Sequence, residues 1–224
     1  MTHSHAARKE PFMNPENIFT SYSDWLAHTE IPKGQRAVLE ASIDLFSKQG
    51  FDGTSTAQIA EQAGVSQGTI FKYYHTKQDL LQAIITPVLQ HLFPKMRDRF
   101  VGSLPEKADL PTIIHFIVQD RFKFLQQNAE VVQIFVSELL ISPQIRDVFN
   151  DLIKNSMPVF EESPLTELQS SGQIRQDLSL FDIGRTLIGQ LITYFFQTKF
   201  SSKQLNTAAD LARIESILVA SLQP

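Results

Sequence analysis

The sequence contains no cysteine, which removes disulfides, thiolate zinc sites and cysteine nucleophiles together. No apolar run approaches the roughly 18–20 residues that a membrane helix needs. β-branched alternation of period two is scarce, so strands have little to build on. Glycine-rich phosphate loops, His-Glu-x-x-His, a nucleophile elbow and carboxylates at metal-ligand spacing are all missing. An enzyme, a cofactor and a metal centre are therefore not expected. The first ten residues carry no apolar h-region, and a cytoplasmic protein is expected. Positive charge is also in short supply: 20 Lys and Arg stand against 24 Asp and Glu, for a net charge of −4. Residues 33–80 hold 5 basic and 5 acidic side chains, so no basic patch announces a nucleic-acid partner. Any DNA-binding reading must rest on where individual donors stand.

What is present is helical periodicity almost from end to end. Residues 1–13 read as a tail, followed by Asn14-Pro15 as an N-cap with proline at the first helical position. Ile18, Phe19, Tyr22, Trp25 and Leu26 then form one apolar stripe, and that helix should end before Ile31-Pro32. A second helix over 33–49 places Val38, Ala41, Ser42 and Leu45 on one face, and Gly50 supplies its left-handed stop. Short helices follow over 56–62 and 67–74. Beyond Lys77, prolines 87, 94, 105, 111, 143, 158 and 164 divide the chain into segments at about 77–100, 110–127, 129–141, 144–170, 180–200 and 207–222. Pro87 and Pro94 are expected to interrupt and bend the first of these.

The informative stretch is Thr54 to Tyr74, which reads as a helix-turn-helix. Hydroxyls of Thr54, Ser55 and Thr56 can cap its first helix. Ile59, Ala60 and Ala63 give a narrow inner face that lets two short helices cross closely. Gly64 stands where the chain must reverse with a positive φ, Val65 plugs the corner, and Ser66 caps the second helix with Thr69 three residues on. The outer face of that second helix then presents Gln67, Gly68, Thr69, Lys72 and Tyr73. A glutamine amide can bond base edges in the major groove, while Thr, Lys and Tyr can hold phosphates. Gly68 permits close approach and is costly in a helix unless something gains from it.

Ala37 to Phe46, Gly50 to Ser55, Ile59-Ala60, Ala63-Gly64-Val65-Ser66, Gly68-Thr69-Ile70-Phe71, Tyr73-Tyr74 and Lys77 with Leu80-Leu81 follow in an order and spacing that resembles the TetR family of bacterial regulators. The resemblance implies that Thr56 binds a phosphate and that Gln67 and Gly68 face bases. It further implies that Thr69, Phe71 and Tyr73 border the DNA backbone and that Lys77 meets a phosphate at the start of the next helix. Position 71 is Phe where the family often has Tyr, which replaces a phenolic phosphate contact by apolar contact with a thymine methyl. Position 73 is Tyr where His is frequent.

Residues 81–224 hold 12 of the 17 phenylalanines, which fill a helical core or line a pocket for an apolar or aromatic ligand. Phe122 and Phe135, with His115, Gln119, Arg121, Glu138 and Tyr194 at apolar helical spacings, are the pocket candidates. The last two helices look like a self-association surface. Leu180, Ile183, Gly184, Leu187, Ile188, Leu191, Ile192 and Phe195 make a wide band, and Leu211, Ile214, Ile217, Leu218 and Leu222 a second stripe.

The expected architecture is all-α: a tail and extra helix over 1–32, a three-helix DNA-binding module over 33–80, and a larger ligand-binding and dimerisation domain over 81–224. The expected function is a homodimeric repressor, paired through residues 180–222, that leaves double-stranded operator DNA when a small apolar or aromatic effector binds. The alternative is a DNA-bound protein without an effector that recruits a protein partner. A membrane is not expected among its partners.

Overall fold

A computed structural model describes residues 17–201 and 205–224. Its first helix, α1 (Ile18–Ala27), begins where the Asn17 side chain accepts a hydrogen bond from the Thr20 amide at 2.9 Å. Asn17 is thus the cap, one helical turn later than expected; the Asn14-Pro15 pair lies outside the described residues. The described chain is helical, with no strand among the described residues. None of those helices is long and apolar enough to cross a membrane. The chain divides into two compact units, and the division falls between Ile84 and Ile85.

In the first unit, α1 is followed by α2 (Lys33–Gln49), α3 (Thr56–Gln62), α4 (Gln67–Tyr73) and the start of α5 (Lys77–Pro87). One core gathers Ile18, Tyr22 and Leu26 of α1, Val38, Leu39 and Phe46 of α2, Ile59 of α3, Ile70 of α4 and Leu80 and Leu81 of α5. On α1 these side chains recur four residues apart, the spacing that puts them on one helix face. Gly50 ends α2 at φ 76°, ψ 167°, a conformation open essentially to glycine alone. Three residues on, a Cβ at Gly53 would lie 2.4 Å from the Gln49 carbonyl oxygen. This turn is therefore built on two glycines for two reasons, one conformational and one steric.

The second unit opens with an irregularity. α5 runs through Pro87, a π-helical turn covers Val88–Leu92, and α6 covers Phe93–Gly102. The expected break at Pro87 is absent, because Pro87 sits at φ −62°, ψ −34° and continues the helix. The ladder widens instead: the Phe93 amide donates to the Val88 carbonyl, five residues back, just before Pro94, which has no amide to offer. Helices α7 (Leu110–Gln127), α8 (Ala129–Ile141), α9 (Pro143–Glu161), α10 (Pro164–Ser170), α11 (Leu180–Phe200) and α12 (Thr207–Leu222) follow. The segment expected over 144–170 is two helices, because Ser163 takes extended dihedrals ahead of Pro164. Pro158 lies inside α9 without ending it.

Ile113, Ile114, Ile117 and Val118 of α7 pack with Ile183, Leu187, Leu191 and Phe195 of α11 and with Leu211, Ile214, Leu218 and Leu222 of α12. The band expected on α11 as a self-association surface is thus largely consumed by the core of its own unit. Phe181, 54% exposed, and Ile188, 60% exposed, remain outside on that helix, with Ile217, 44% exposed, on α12.

Candidate nucleic-acid interface

The helix-turn-helix is assembled by caps at both ends of its turn. Ser55 and Gln58 form a reciprocal capping box at the start of α3, the serine hydroxyl taking the Gln58 amide at 3.2 Å and the Gln58 side chain taking the Ser55 amide at 2.8 Å. Thr54 turns inward and is buried, its hydroxyl donating to the Gly50 carbonyl at 2.8 Å. Gly64 takes φ +65° between the helices, and the Val65 amide closes the reversal on the Ala60 carbonyl at 3.0 Å. Ser66 then caps α4 by accepting from the Thr69 amide at 3.2 Å. Across this frame the Gln62 side chain donates to Asp44 of α2 at 2.7 Å. Lys48 and Gln62 on that carboxylate hold it below its usual range.

The outcome on α4 is a clean division of faces. Ile70 is buried and Tyr74, just beyond the helix, is 6% exposed. Gln67, Gly68, Phe71 and Lys72 are exposed together, spaced i, i+1, i+4 and i+5 along one side. Phe71 is 44% exposed, an aromatic ring held in water beside polar neighbours. A Cβ at Gly68 would meet only the Ser66 hydroxyl, at an ordinary 3.6 Å. Packing within the protein therefore does not require glycine there.

Other expected contacts are committed elsewhere. The Thr69 hydroxyl stands 3.0 Å from that of Ser66, and Tyr73 is half-buried beside Tyr74. Thr56, at the first position of α3, is half-buried. Lys77, expected at a phosphate, sends its ammonium inward: it donates to the Phe51 carbonyl at 2.8 Å and the Thr54 carbonyl at 2.9 Å, and lies 4.1 Å from the Phe51 ring centre. It ties the α2–α3 turn to the start of α5. Lys72 keeps its charge in solvent, 5.8 Å from the centre of the Tyr73 ring.

Sequence reasoning missed three supports beneath this face. Gln35 donates to the Tyr74 hydroxyl at 3.0 Å, the Tyr22 hydroxyl reaches the Ala83 carbonyl at 3.4 Å, and Arg36 bonds backbone carbonyls at the end of α1. Burial lifts the Tyr22 phenol well above the usual tyrosine range, and the neighbouring Tyr74 adds to the shift. No sequence signal marks these partners, which stand 39, 61 and 7–10 residues away.

The expected ligand-pocket residues of the second unit fall into separate groups. His115 and Gln119 are exposed on α7, and both bond Glu215 of α12, at 3.0 and 2.8 Å. That pairing places them on the outside rather than in a pocket. Arg121 pairs with its neighbour Asp120 and lies against the Phe100 and Phe124 rings at 4.0 and 5.0 Å; burial lowers its pKa against the pull of Asp120. Phe122 is core, 5.3 Å from the Tyr194 ring, and the Tyr194 hydroxyl donates to Asp210 at 3.1 Å. Glu138 is buried on α8. Phe135 joins Phe93 and Phe149 in a half-buried aromatic cluster, at 6.4 and 5.3 Å between ring centres.

Comparison with known proteins agrees with the geometry of the first unit. Residues 38–84 match the family model for bacterial regulatory proteins of the tetR family. The fatty acid metabolism regulator protein of Bacillus subtilis is 24% identical over 144 residues, 64% of this chain and 72% of that protein. The HTH-type transcriptional regulator UidR of Escherichia coli is 26% identical over 201 residues, 86% of this chain and 97% of UidR. The crystal structure of the Bacillus subtilis regulator FadR in complex with stearoyl-CoA shares the fold, with a TM-score of 0.59 and 20% identity over 84% of this chain and 98% of that one. The helix-turn-helix thus lies inside the segment that matches the tetR family model, and the curated relatives that the chain resembles are transcriptional regulators.

Proposed function

We propose that this chain is a homodimeric repressor that reads a near-palindromic operator with α4 and releases it when an apolar effector occupies the second unit. The observation that carries the DNA reading is the single exposed face of Gln67, Gly68, Phe71 and Lys72. Gln67 offers an amide to a base edge, Phe71 an apolar surface to a thymine methyl, and Lys72 a cation to phosphate. Thr56, Ser66, Thr69 and Tyr73 border that face. Lys77 is left out, since two of its three ammonium protons serve carbonyls and its charge lies over the Phe51 ring.

In this reading residues 33–80 bind DNA, while residues 81–224 bind effector and pair the subunits. Pairing uses the outer side of α11 and α12, where Phe181, Ile188 and Ile217 are exposed and Gly184 and Gly189 allow close helix approach. Two features support an apolar effector: the Phe93, Phe135 and Phe149 cluster, and the stearoyl-CoA bound by the fold-related regulator. An effector releases DNA only by binding the DNA-incompetent state more tightly. Operator must then weaken effector binding by the factor that effector weakens operator binding.

Selection from random duplexes with the full chain tests the reading. The expected product is an inverted repeat bound two subunits at a time, with long-chain acyl-CoA raising the melting temperature and lowering operator affinity. Monomers at micromolar concentration that select no sequence would sink the dimeric DNA-binding reading. A selected inverted repeat indifferent to acyl-CoA would overturn only the effector.

A further inference from the structure

Helix α4 has seven residues, fewer than two helical turns, and a helix that short does not hold its own axis in water. Its orientation is set by what it rests on. Base reading tolerates displacements of only about 0.5 Å, so the supports of α4 matter to DNA recognition although they touch no DNA.

Those supports converge on three consecutive residues in the first turn of α2. The open side of Gly34 faces α4: a Cβ there would stand 3.7 Å from the Thr69 methyl and 4.0 Å from the Tyr73 hydroxyl. Gln35 donates to the Tyr74 hydroxyl at the end of α4. Arg36 reaches the opposite way, donating to the Leu26 and Thr29 carbonyls where α1 ends, a placement that also suits the negative end of the α1 dipole. α1 is anchored in turn on α5, through the buried Tyr22 and its bond to the Ala83 carbonyl.

We propose that α1 acts as a brace for the reading helix, and that Arg36 and Gln35 are positioning residues for DNA recognition that link the end of α1 to α4 through the first turn of α2. This rests on the reading of α4 as the DNA-reading helix. The brace fixes where Gln67 and Gly68 stand, so loosening it lowers discrimination between sequences more than it lowers attraction to DNA as such. Attraction to phosphates tolerates misplacement, and base hydrogen bonds do not.

The test uses the full chain, the duplex that the wild type selects from a random library, and a scrambled duplex of equal length at the same salt. Arg36→Ala is expected to reduce the ratio of selected to scrambled affinity roughly tenfold, the equivalent of one charged hydrogen-bond pair, with scrambled binding unchanged within about twofold. Arg36→Lys, which can still donate to a carbonyl, restores part of the ratio. The only tryptophan, Trp25, lies on α1 beside Tyr22 and reports the brace directly: acrylamide quenches it more readily in Arg36→Ala. Gln35→Ala lowers the ratio and leaves Trp25 quenching unchanged, since Gln35 holds α4 and not α1. Should Arg36→Ala fail to fold, Gln35→Ala and Tyr22→Phe carry the same comparison. Unchanged ratios in these variants, with selectivity lost in Gln67→Ala, would overturn the brace and leave α4 as the reading helix. Parallel loss on both duplexes in step with unfolding would also overturn it, leaving only a structural helix. A wild type that selects no duplex removes the reading of α4, and the brace with it.

Discussion

Gly68 and Lys77 show how differently two residues of one motif are used within the fold. A glycine inside a helix ordinarily costs up to about 1 kcal/mol relative to alanine. At Gly68 neither a positive φ nor a neighbouring atom gives a reason for bearing that cost. In the proposed reading that reason is DNA, toward which a methyl group would project from the exposed face of α4. Gly68→Ala is therefore expected to raise the melting temperature or leave it unchanged, while weakening binding to the selected duplex by about 1 kcal/mol or more. Calorimetric melting and fluorescence anisotropy measure the two effects. Operator affinity equal to wild type would show that nothing approaches that face closely. Lys77 is the reverse case. Its spacing from the motif suggests a phosphate ligand, yet two carbonyls and the Phe51 ring occupy its ammonium. One cation in sequence looks like another, and only the fold shows which has carbonyls within reach.

At the scale of elements, local chemistry was legible wherever a cap or a reversal made it so. The bounds of α3, the Ser66 cap of α4 and the positive φ of Gly64 all follow from short-range rules. Misreadings fell on proline, which restricts the backbone without dictating a break. Pro87 and Pro158 continue their helices, Pro94 stands in the first turn of α6 just past a π-helical turn, and Pro164 starts a new helix. Whether neighbouring packing holds a helix together across a missing amide is a tertiary question. The turn after α2 offers a sharper test. Gly50 has no atom within 4 Å of a built Cβ, so its only demand is its φ of +76°. Gly50→Ala should destabilise the first unit by about 1–3 kcal/mol, the cost of holding a Cβ-bearing residue in that region. Urea unfolding followed by Trp25 emission reports that unit specifically, because the chain has no other tryptophan. An unshifted midpoint would mean that the turn relaxes to another conformation at no cost.

For the molecule as a whole, the apolar band of α11 was visible in sequence but its division was not. Ile183, Leu187, Leu191 and Phe195 pack inward, and Phe181 and Ile188 stay in solvent. If those remaining side chains pair two subunits, Ile188→Glu places a charge in an apolar interface. Dimerisation should then weaken by roughly 2 kcal/mol or more, with the fold intact because Ile188 is 60% exposed in the single chain. Sedimentation velocity across a dilution series would read the shift. A variant as dimeric as wild type would move the interface elsewhere. The sequence by itself determined the helical class, the helix-turn-helix and the polar face of α4, because periodicity, caps and turn residues act over a few positions. It could not determine which apolar residues of a wide band face inward, that His115 and Gln119 pair with Glu215, or that Arg36 clasps α1. Those outcomes depend on which helices become neighbours. Partners such as His115 and Glu215 lie 100 residues apart, so only chain closure in three dimensions brings them within bonding distance.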